Sequence, residues 1–305
     1  MTNPLQASSA GGNPFETPRP RRIRMTQGIL RVIVAMQCFG YAAGRLHHQV
    51  PDRLCELMLQ GPAWPADQVA RISDFVAYGL IVCGVTTLLR PSLPILLSLT
   101  AYAAGTAMAI SQGAEGQLDK FAPALLATQS ITPLALVLVD FWPPRVKPSL
   151  PMCLAATLLL KLAVVVALLA HGILCCEQAL QGGPLWEMLQ DAAQQTLRRQ
   201  LPEENLRLFL AVWGGVEIGF ALALLASRSR LAMAGCVIIG SLMALLPTMA
   251  HGEKGYHESL AMISLLGAPL ALLIFHLTSV REQPPVYLPE IHRSGASSPG
   301  MPERK

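Results

Sequence analysis

Eight long apolar runs, arranged in two sets of four, constrain this chain more than any other feature of its sequence. Each run approaches the ~20 consecutive apolar residues that a helix needs to cross the hydrocarbon core of a bilayer. Only helices and closed barrels satisfy their backbone hydrogen bonds in lipid, and these runs lack the alternation of barrel strands. The sequence therefore predicts an all-α membrane protein with eight transmembrane helices, at about residues 27–46, 73–90, 92–111, 121–141, 151–175, 206–226, 231–250 and 257–278.

The two sets of runs resemble each other, which predicts an internal duplication. A basic residue lies inside the first run of each set, Arg31 in one and Lys161 in the other. A turn containing Gly-Pro follows that run in both sets, in residues 59–64 and 180–186. An even number of spans gives both copies the same orientation, so we expect two parallel repeats related by an axis along the membrane normal.

The duplication divides the chain into four segments. Residues 25–147 form the first four-helix membrane repeat and residues 148–280 the second. The segments 1–24 and 281–305 contain much Pro, Ser and Gly and little that could pack in a core. We expect both to be disordered cytoplasmic tails.

Positive charges are concentrated on one side of the predicted membrane, while the loops on the other side mix both signs. Only 14% of the residues are charged, against roughly a quarter in a soluble domain, so the positions of these charges are informative. The basic segments are the N-terminal tail, Arg90, residues 145–147, residues 228–230 and Arg281. Short loops rich in Lys and Arg face the cytoplasm. We expect both termini to be cytoplasmic, in a bacterial-type inner (plasma) membrane.

The N-terminus also has the features of a signal peptide, because the basic residues 19–24 precede an apolar run and Gly40-Tyr41-Ala42 resembles a cleavage site. However, Arg31 interrupts the apolar run, and cleavage would remove part of the first repeat. We therefore expect this segment to remain as the first transmembrane helix.

Two ionisable residues lie deep inside predicted spans. Lys161 and Glu217 are each about ten residues into their helices, which corresponds to roughly 15 Å at 1.5 Å per residue. A buried charge is costly in the bilayer, and pairing lowers that cost. We expect Lys161 and Glu217 to form an ion pair near the midplane. The alternative is that Lys161 extends to the cytoplasmic face and Glu217 is protonated or hydrogen-bonded.

Several histidines lie near the outer ends of the predicted spans. His171, His251 and His257, together with Glu258, form a candidate ligand site at the outer face. No His-x₃-His pair and no CxxC motif occurs, so the sequence predicts no metal centre. Walker, nucleophile-elbow and HExxH motifs are also absent, which gives soluble hydrolase or nucleotide chemistry no support.

The seven cysteines do not form a disulfide framework. Most lie inside predicted spans, where a cysteine usually acts as a small apolar residue. Cys55, Cys175 and Cys176 lie on the outer side. If that compartment is oxidising, a bridge from Cys55 to one of the other two would link the repeats.

The first predicted helix resembles the opening helix of the DoxX-like family of four-helix membrane proteins. That family shows a Leu-Arg start, a small residue eleven positions after the arginine and a basic residue fourteen positions after it. Arg31, Ala42 and Arg45 occupy these places.

The second copy resembles the same pattern less closely, because Lys161 and Gly172 match but Cys175 replaces the basic residue. The chain thus resembles two fused DoxX-like units over about residues 25–279. The resemblance implies a redox-associated membrane subunit, with a quinone or lipid-like molecule bound between the repeats near the outer histidines. The alternatives are a small-solute or proton-coupled carrier that uses Lys161 and Glu217, and a structural scaffold. Expected partners are membrane lipid and other membrane-complex subunits, and not nucleic acid.

Overall fold

The chain folds into a bundle of helices. The computed structural model describes residues 19–50, 52–59, 64–112, 120–140, 150–227 and 229–277, and no β-strand occurs among them. The helices are α1 Arg19–His48, α2 Arg53–Leu59, α3 Ala66–Leu89, α4 Leu93–Gln112, α5 Ala122–Leu125, α6 Ala127–Val139, α7 Leu150–Gln181, α8 Pro184–Leu197, α9 Glu203–Ala226, α10 Arg230–His251, α11 Tyr256–Ala261 and α12 Ser264–Leu277. A 3-10 turn, Gly252–Gly255, joins α10 to α11.

The described helices include six that are long and apolar enough to cross a membrane. These are α1 from Ile23, α3, α4, α7, α9, and α10 continued through α11. Large apolar side chains cover their outer faces; Phe75 is 78% exposed and Leu231 is 81% exposed. Such a surface suits lipid and not water. The chain is therefore an integral, multi-pass membrane protein, as its sequence predicts.

The fourth and eighth predicted spans are each broken into a short and a longer helix. The first is divided at Leu126, between α5 and α6, and the second at Met262, between α11 and α12. Pro133 lies inside α6 and has no N–H to donate to the carbonyl of Gln129. That carbonyl instead accepts a hydrogen bond of 3.0 Å from Nε2 of Gln37. A side chain of α1 thus satisfies a backbone carbonyl that Pro133 leaves without its helical partner.

The helices pack in two corresponding sets. In the first half α1 packs on α3 and α4 on α6, while in the second half α7 packs on α9 and α10 on α12. The first helix of each half also contacts the broken helix of the other half: α1 contacts α11 and α12, and α7 contacts α5 and α6. The shared core between the halves contains fully buried leucines from both, including Leu30, Leu136, Leu160 and Leu272.

Two peripheral helices lie on the predicted outer side. The helix α8 packs on α10, and its side chains Leu185, Ala192 and Ala193 are buried. The short α2 packs on α4 in the first half. Residues of α8 line one of two cavities, and Arg53 of α2 lines the other.

The predicted tails agree only partly with the structure. We expect disorder to residue 24, but α1 begins at Arg19. Arginine is a good helix former, and Pro20 lies in the first turn, where no helical hydrogen bond needs its N–H. The basic segment therefore continues the apolar helix. Residues 1–18, the segment 281–305 and the turn at residues 60–63 lie outside the described residues.

Candidate functional site

The crossing of α7 and α9 positions the most unusual side chains of the molecule. Gly172 and Gly214 face each other there, and a Cβ added to Gly214 would lie 2.5 Å from the carbonyl oxygen of Gly172. Close approach of this kind requires glycine. It brings His171 on α7 beside Glu217 on α9, with 2.6 Å between Nδ1 and Oε2. Glu217 is 0% exposed, so its carboxyl group relies on this hydrogen bond.

Cys175 completes a cluster of three residues, which we call the His–Cys–Glu cluster: His171, Cys175 and Glu217. Cys175 lies one helical turn after His171, on the same face of α7. Its Sγ is 3.4 Å from Nδ1 of His171 and 4.0 Å from Oε2 of Glu217. One donor atom from each residue lies within 4.8 Å of the others, a grouping compact enough to hold a metal ion.

One oxygen of the cluster has no partner. Oε1 of Glu217 is buried and accepts or donates no hydrogen bond to the described residues. Buried polar atoms are rarely left unpaired, because losing water without a replacement costs roughly 1–3 kcal/mol. This oxygen therefore marks a place for a proton, a water molecule or a ligand.

An apolar cavity of about 310 Å³ lies against the cluster at His171. Its size is at the lower end of the range for small-molecule sites. Gln129 adds a second polar group to its wall. The remaining wall is apolar and comes from both halves of the molecule: Ile110, Ala122, Leu125, Leu126, Ala167, Leu174, Pro184, Leu185, Met188, Met243, Leu246, Pro247, Met262 and Leu265.

The structure does not pair Lys161 with Glu217, so that prediction is wrong. Nζ of Lys161 donates to the carbonyl oxygen of Leu225 at 3.3 Å, eight residues along α9 from Glu217. At 1.5 Å per residue this separation is about 12 Å. The Gly172–Gly214 crossing sets the level of the two antiparallel helices and brings Lys161 level with Leu225. The alternative prediction, in which Lys161 extends to the cytoplasmic face, agrees better with the structure. Glu217 is hydrogen-bonded, and Lys161 lies near the cytoplasmic end predicted for α9.

The predicted outer-face ligand site is divided among three places and is not one site. His171 lines the apolar cavity, and His251 is exposed at the end of α10. His257 and Glu258 line a second cavity of about 210 Å³, with 3.8 Å between Nε2 and Oε1. The cause is helix packing: α11, which holds His257 and Glu258, lies on α1 as well as on α10.

The second cavity is more polar than the first. Its wall includes Arg45, which forms an ion pair of 2.8 Å with Asp74, and Tyr102, whose hydroxyl donates to Asp52 at 3.1 Å. Tyr41 lines this cavity and hydrogen-bonds Gln129, whose side chain lines the first cavity. One hydrogen bond therefore connects the walls of the two cavities.

The seven cysteines, all within the described residues, are free thiols, so the suggested bridge from Cys55 is not formed. The pKa of the Cys55 thiol is raised from 9.0 to about 11. Burial is the larger cause, and the nearby Asp52 carboxylate is the second. Because the thiolate is the reactive form, this thiol is poorly suited to exchange at neutral pH. Cys175 has His171 and Glu217 as its neighbours instead.

Sequence reasoning identified all three members of the His–Cys–Glu cluster but did not join them. His171 and Cys175 form a His-x₃-Cys pair, and that spacing on one helix face was the available signal. The third member could not be assigned, because only the close crossing at Gly172 and Gly214 brings Glu217 to the same level.

The chain matches no family model, no curated protein and no solved structure. The resemblance to the DoxX-like family stays a prediction from the residues of the first helix. The chemistry of the site therefore has to be argued from its own side chains.

Proposed function

We propose that this protein is a DoxX-like, redox-associated subunit of a bacterial-type inner membrane that holds a quinone or lipid-like molecule in the cavity beside His171. In this proposal eight spans form two parallel four-helix repeats, with α5–α6 and α11–α12 as the fourth span of each. Both termini are cytoplasmic, and the partners are membrane lipid and other subunits of a membrane complex.

The order of burial along the first helices supports the two repeats. Residues 30–35 of α1 and residues 160–165 of α7 follow the same sequence of buried, intermediate and exposed side chains. Residues 37–42 and 167–172 agree in the same way. Matching burial along both helices is expected if α1 and α7 have equivalent surroundings.

A contact between the halves supports a two-fold relation between the repeats. Thr128 at the start of α6 and Ser264 at the start of α12 hydrogen-bond each other, with 3.2 Å between their hydroxyl oxygens. They lie at equivalent positions, each five residues before the proline of its helix, Pro133 or Pro269. Equivalent residues meet each other only at the axis that relates two copies.

The protonation chemistry of His171 and Glu217 suits a ligand with a carbonyl group. A protonated Glu217 carboxyl group that donates to Nδ1 of a neutral His171 leaves the other ring nitrogen, Nε2, as an N–H donor. This arrangement has no net charge, which favours it inside a membrane. A quinone carbonyl accepts such a hydrogen bond, while its apolar ring and chain fit the surrounding wall of leucine, methionine and proline.

The observation that carries this proposal is a histidine in the wall of an apolar cavity that is hydrogen-bonded to a fully buried glutamate. The carrier hypothesis rests on a Lys161–Glu217 pair, which is not formed. A purely structural scaffold would have no need for a cavity with one hydrogen-bonding pair in its wall.

Quinone analysis of purified protein tests the proposal. The full chain is purified gently in detergent, and its organic extract is measured for quinone per chain. We expect close to stoichiometric quinone in the wild type and in His251→Leu, whose histidine is exposed and outside the cavity. We expect at least a tenfold loss in His171→Leu and in the double variant H171L/E217L. Equal quinone in all four proteins, or none in the wild type, would contradict the proposal.

A further inference from the structure

We propose that the His–Cys–Glu cluster is a binding site for one divalent metal ion of borderline-soft character, with Zn²⁺ as the preferred ion. This inference goes beyond the proposed function and does not require a quinone in the cavity. It rests on the positions of His171, Cys175 and Glu217 and on the unpaired oxygen of Glu217.

The spacing of the three donor atoms is close to that of a tetrahedral site. Zinc bonds are about 2.3 Å to sulfur and about 2.0–2.2 Å to nitrogen and oxygen, so neighbouring ligand atoms lie roughly 3.3–3.7 Å apart. Sγ of Cys175 is 3.4 Å from Nδ1 of His171 and 4.0 Å from Oε2 of Glu217. Only the 2.6 Å hydrogen bond between Nδ1 and Oε2 has to open, by less than about 1 Å.

The unpaired oxygen points to a ligand independently of this spacing. Glu217 is 0% exposed, and its Oε1 has no hydrogen-bond partner among the described residues. A carboxylate that binds a metal through one or both oxygens removes this deficit. Cys175 is also fully buried, and thiolate is a strong ligand for zinc.

Charge and proton balance favour a divalent ion at this depth. Without metal, the Cys175 thiol and the pair that shares one proton have no net charge. Binding releases the thiol proton and the shared proton to solvent, leaving one thiolate, one carboxylate and a neutral imidazole. Their two negative charges cancel the two positive charges of the ion, so the site stays neutral inside the membrane.

The surrounding structure provides a rigid frame and an open position. The backbones of α7 and α9 are in contact at Gly172 and Gly214, next to all three ligands, which limits their movement. Three protein ligands leave the fourth position of a tetrahedral ion open. The cavity is lined by His171, so a water molecule or the polar end of a cavity ligand can reach the cluster from that side.

Cobalt substitution tests the metal site, with Co²⁺ as the probe added to the purified full chain. We expect one Co²⁺ per chain and a sulfur-to-cobalt charge-transfer band in the wild type. Cys175→Ser should lose the band and weaken binding at least tenfold. Cys176→Ser is the matched control, since this neighbouring thiol is outside the cluster, and it should keep both. Absence of stoichiometric Co²⁺ in the wild type, or the same band in Cys175→Ser, would overturn the proposal.

Zinc-edge X-ray absorption of the wild-type protein tests the ligands without any substitution. We expect one sulfur at about 2.3 Å and nitrogen or oxygen ligands at about 2.0–2.2 Å. A spectrum with no sulfur ligand would overturn the assignment of Cys175. Quinone is measured on the same samples, so metal without quinone contradicts only the proposed function, and quinone without metal contradicts only this inference.

Discussion

At the scale of single residues, the chemistry of this protein is concentrated in one buried pair. Oε2 of Glu217 lies 2.6 Å from Nδ1 of His171, and Glu217 has no exposed surface. The wall of the neighbouring cavity is apolar except for His171 and Gln129. Burying ionisable groups in such surroundings costs free energy, so a buried pair of this kind is a candidate for function.

Removing one member of this pair should cost more than removing both. His171→Leu leaves the buried Glu217 carboxyl group with only the Cys175 thiol, at 4.0 Å, as a hydrogen-bond partner, and we expect a loss of about 1–3 kcal/mol in the free energy of unfolding. The double variant H171L/E217L should recover most of that loss, because no buried polar group then remains unpaired. Reversible unfolding in detergent measures both variants. A double variant that is as unstable as His171→Leu, or less stable, would contradict this account.

At the scale of helices, the level at which α7 crosses α9 decides which of their side chains meet. Hydrophobic runs predicted the helices well, because length and apolar composition are local properties of the sequence. The actual partners of Lys161 and Glu217 could not be predicted, because they depend on the level of the crossing. Gly172 and Gly214 set that level by their missing side chains, and neither residue marks its partner in the sequence.

Close packing at this crossing predicts opposite results for two adjacent glycines. Gly214→Ala should destabilise the protein by about 1–3 kcal/mol, since its Cβ would lie 2.5 Å from the oxygen of Gly172 and 2.8 Å from Sγ of Cys176. Gly215→Ala is the control, because its Cβ would meet nothing within 4 Å. In the helix interior this alanine should be neutral or stabilising. Thermal unfolding of both variants tests the prediction, which equal effects would contradict.

Two pairs of glycines have a spacing of four residues, which allows helices to approach closely, but only one pair packs against another helix. Gly40 and Gly44 lie against the backbone and side chain of residues in α11. Gly215 and Gly219 have no neighbours within 4 Å of an added Cβ, so Gly214 alone has this role in α9. A spacing of four identifies a helix face but does not say which face meets another helix.

At the scale of the whole molecule, the two halves share a plan but differ in their cavities. Equivalent helices form equivalent pairs, and the first helix of each half contacts the broken helix of the other. The apolar cavity is lined by His171, whereas the more polar one has Tyr41, Arg45 and His257 in its wall. The outer histidines could not be divided between these cavities from sequence, because the division follows from which helices are neighbours.

The most direct test of the central claim is an experimental density map of the full chain in lipid nanodiscs. The account predicts elongated density in the cavity beside α7, with its polar end within hydrogen-bonding distance, about 3 Å, of His171, or bonded to a metal ion held by the His–Cys–Glu cluster. A cavity filled by its own side chains, or a bound molecule whose polar end does not approach His171 or the cluster, would contradict the account.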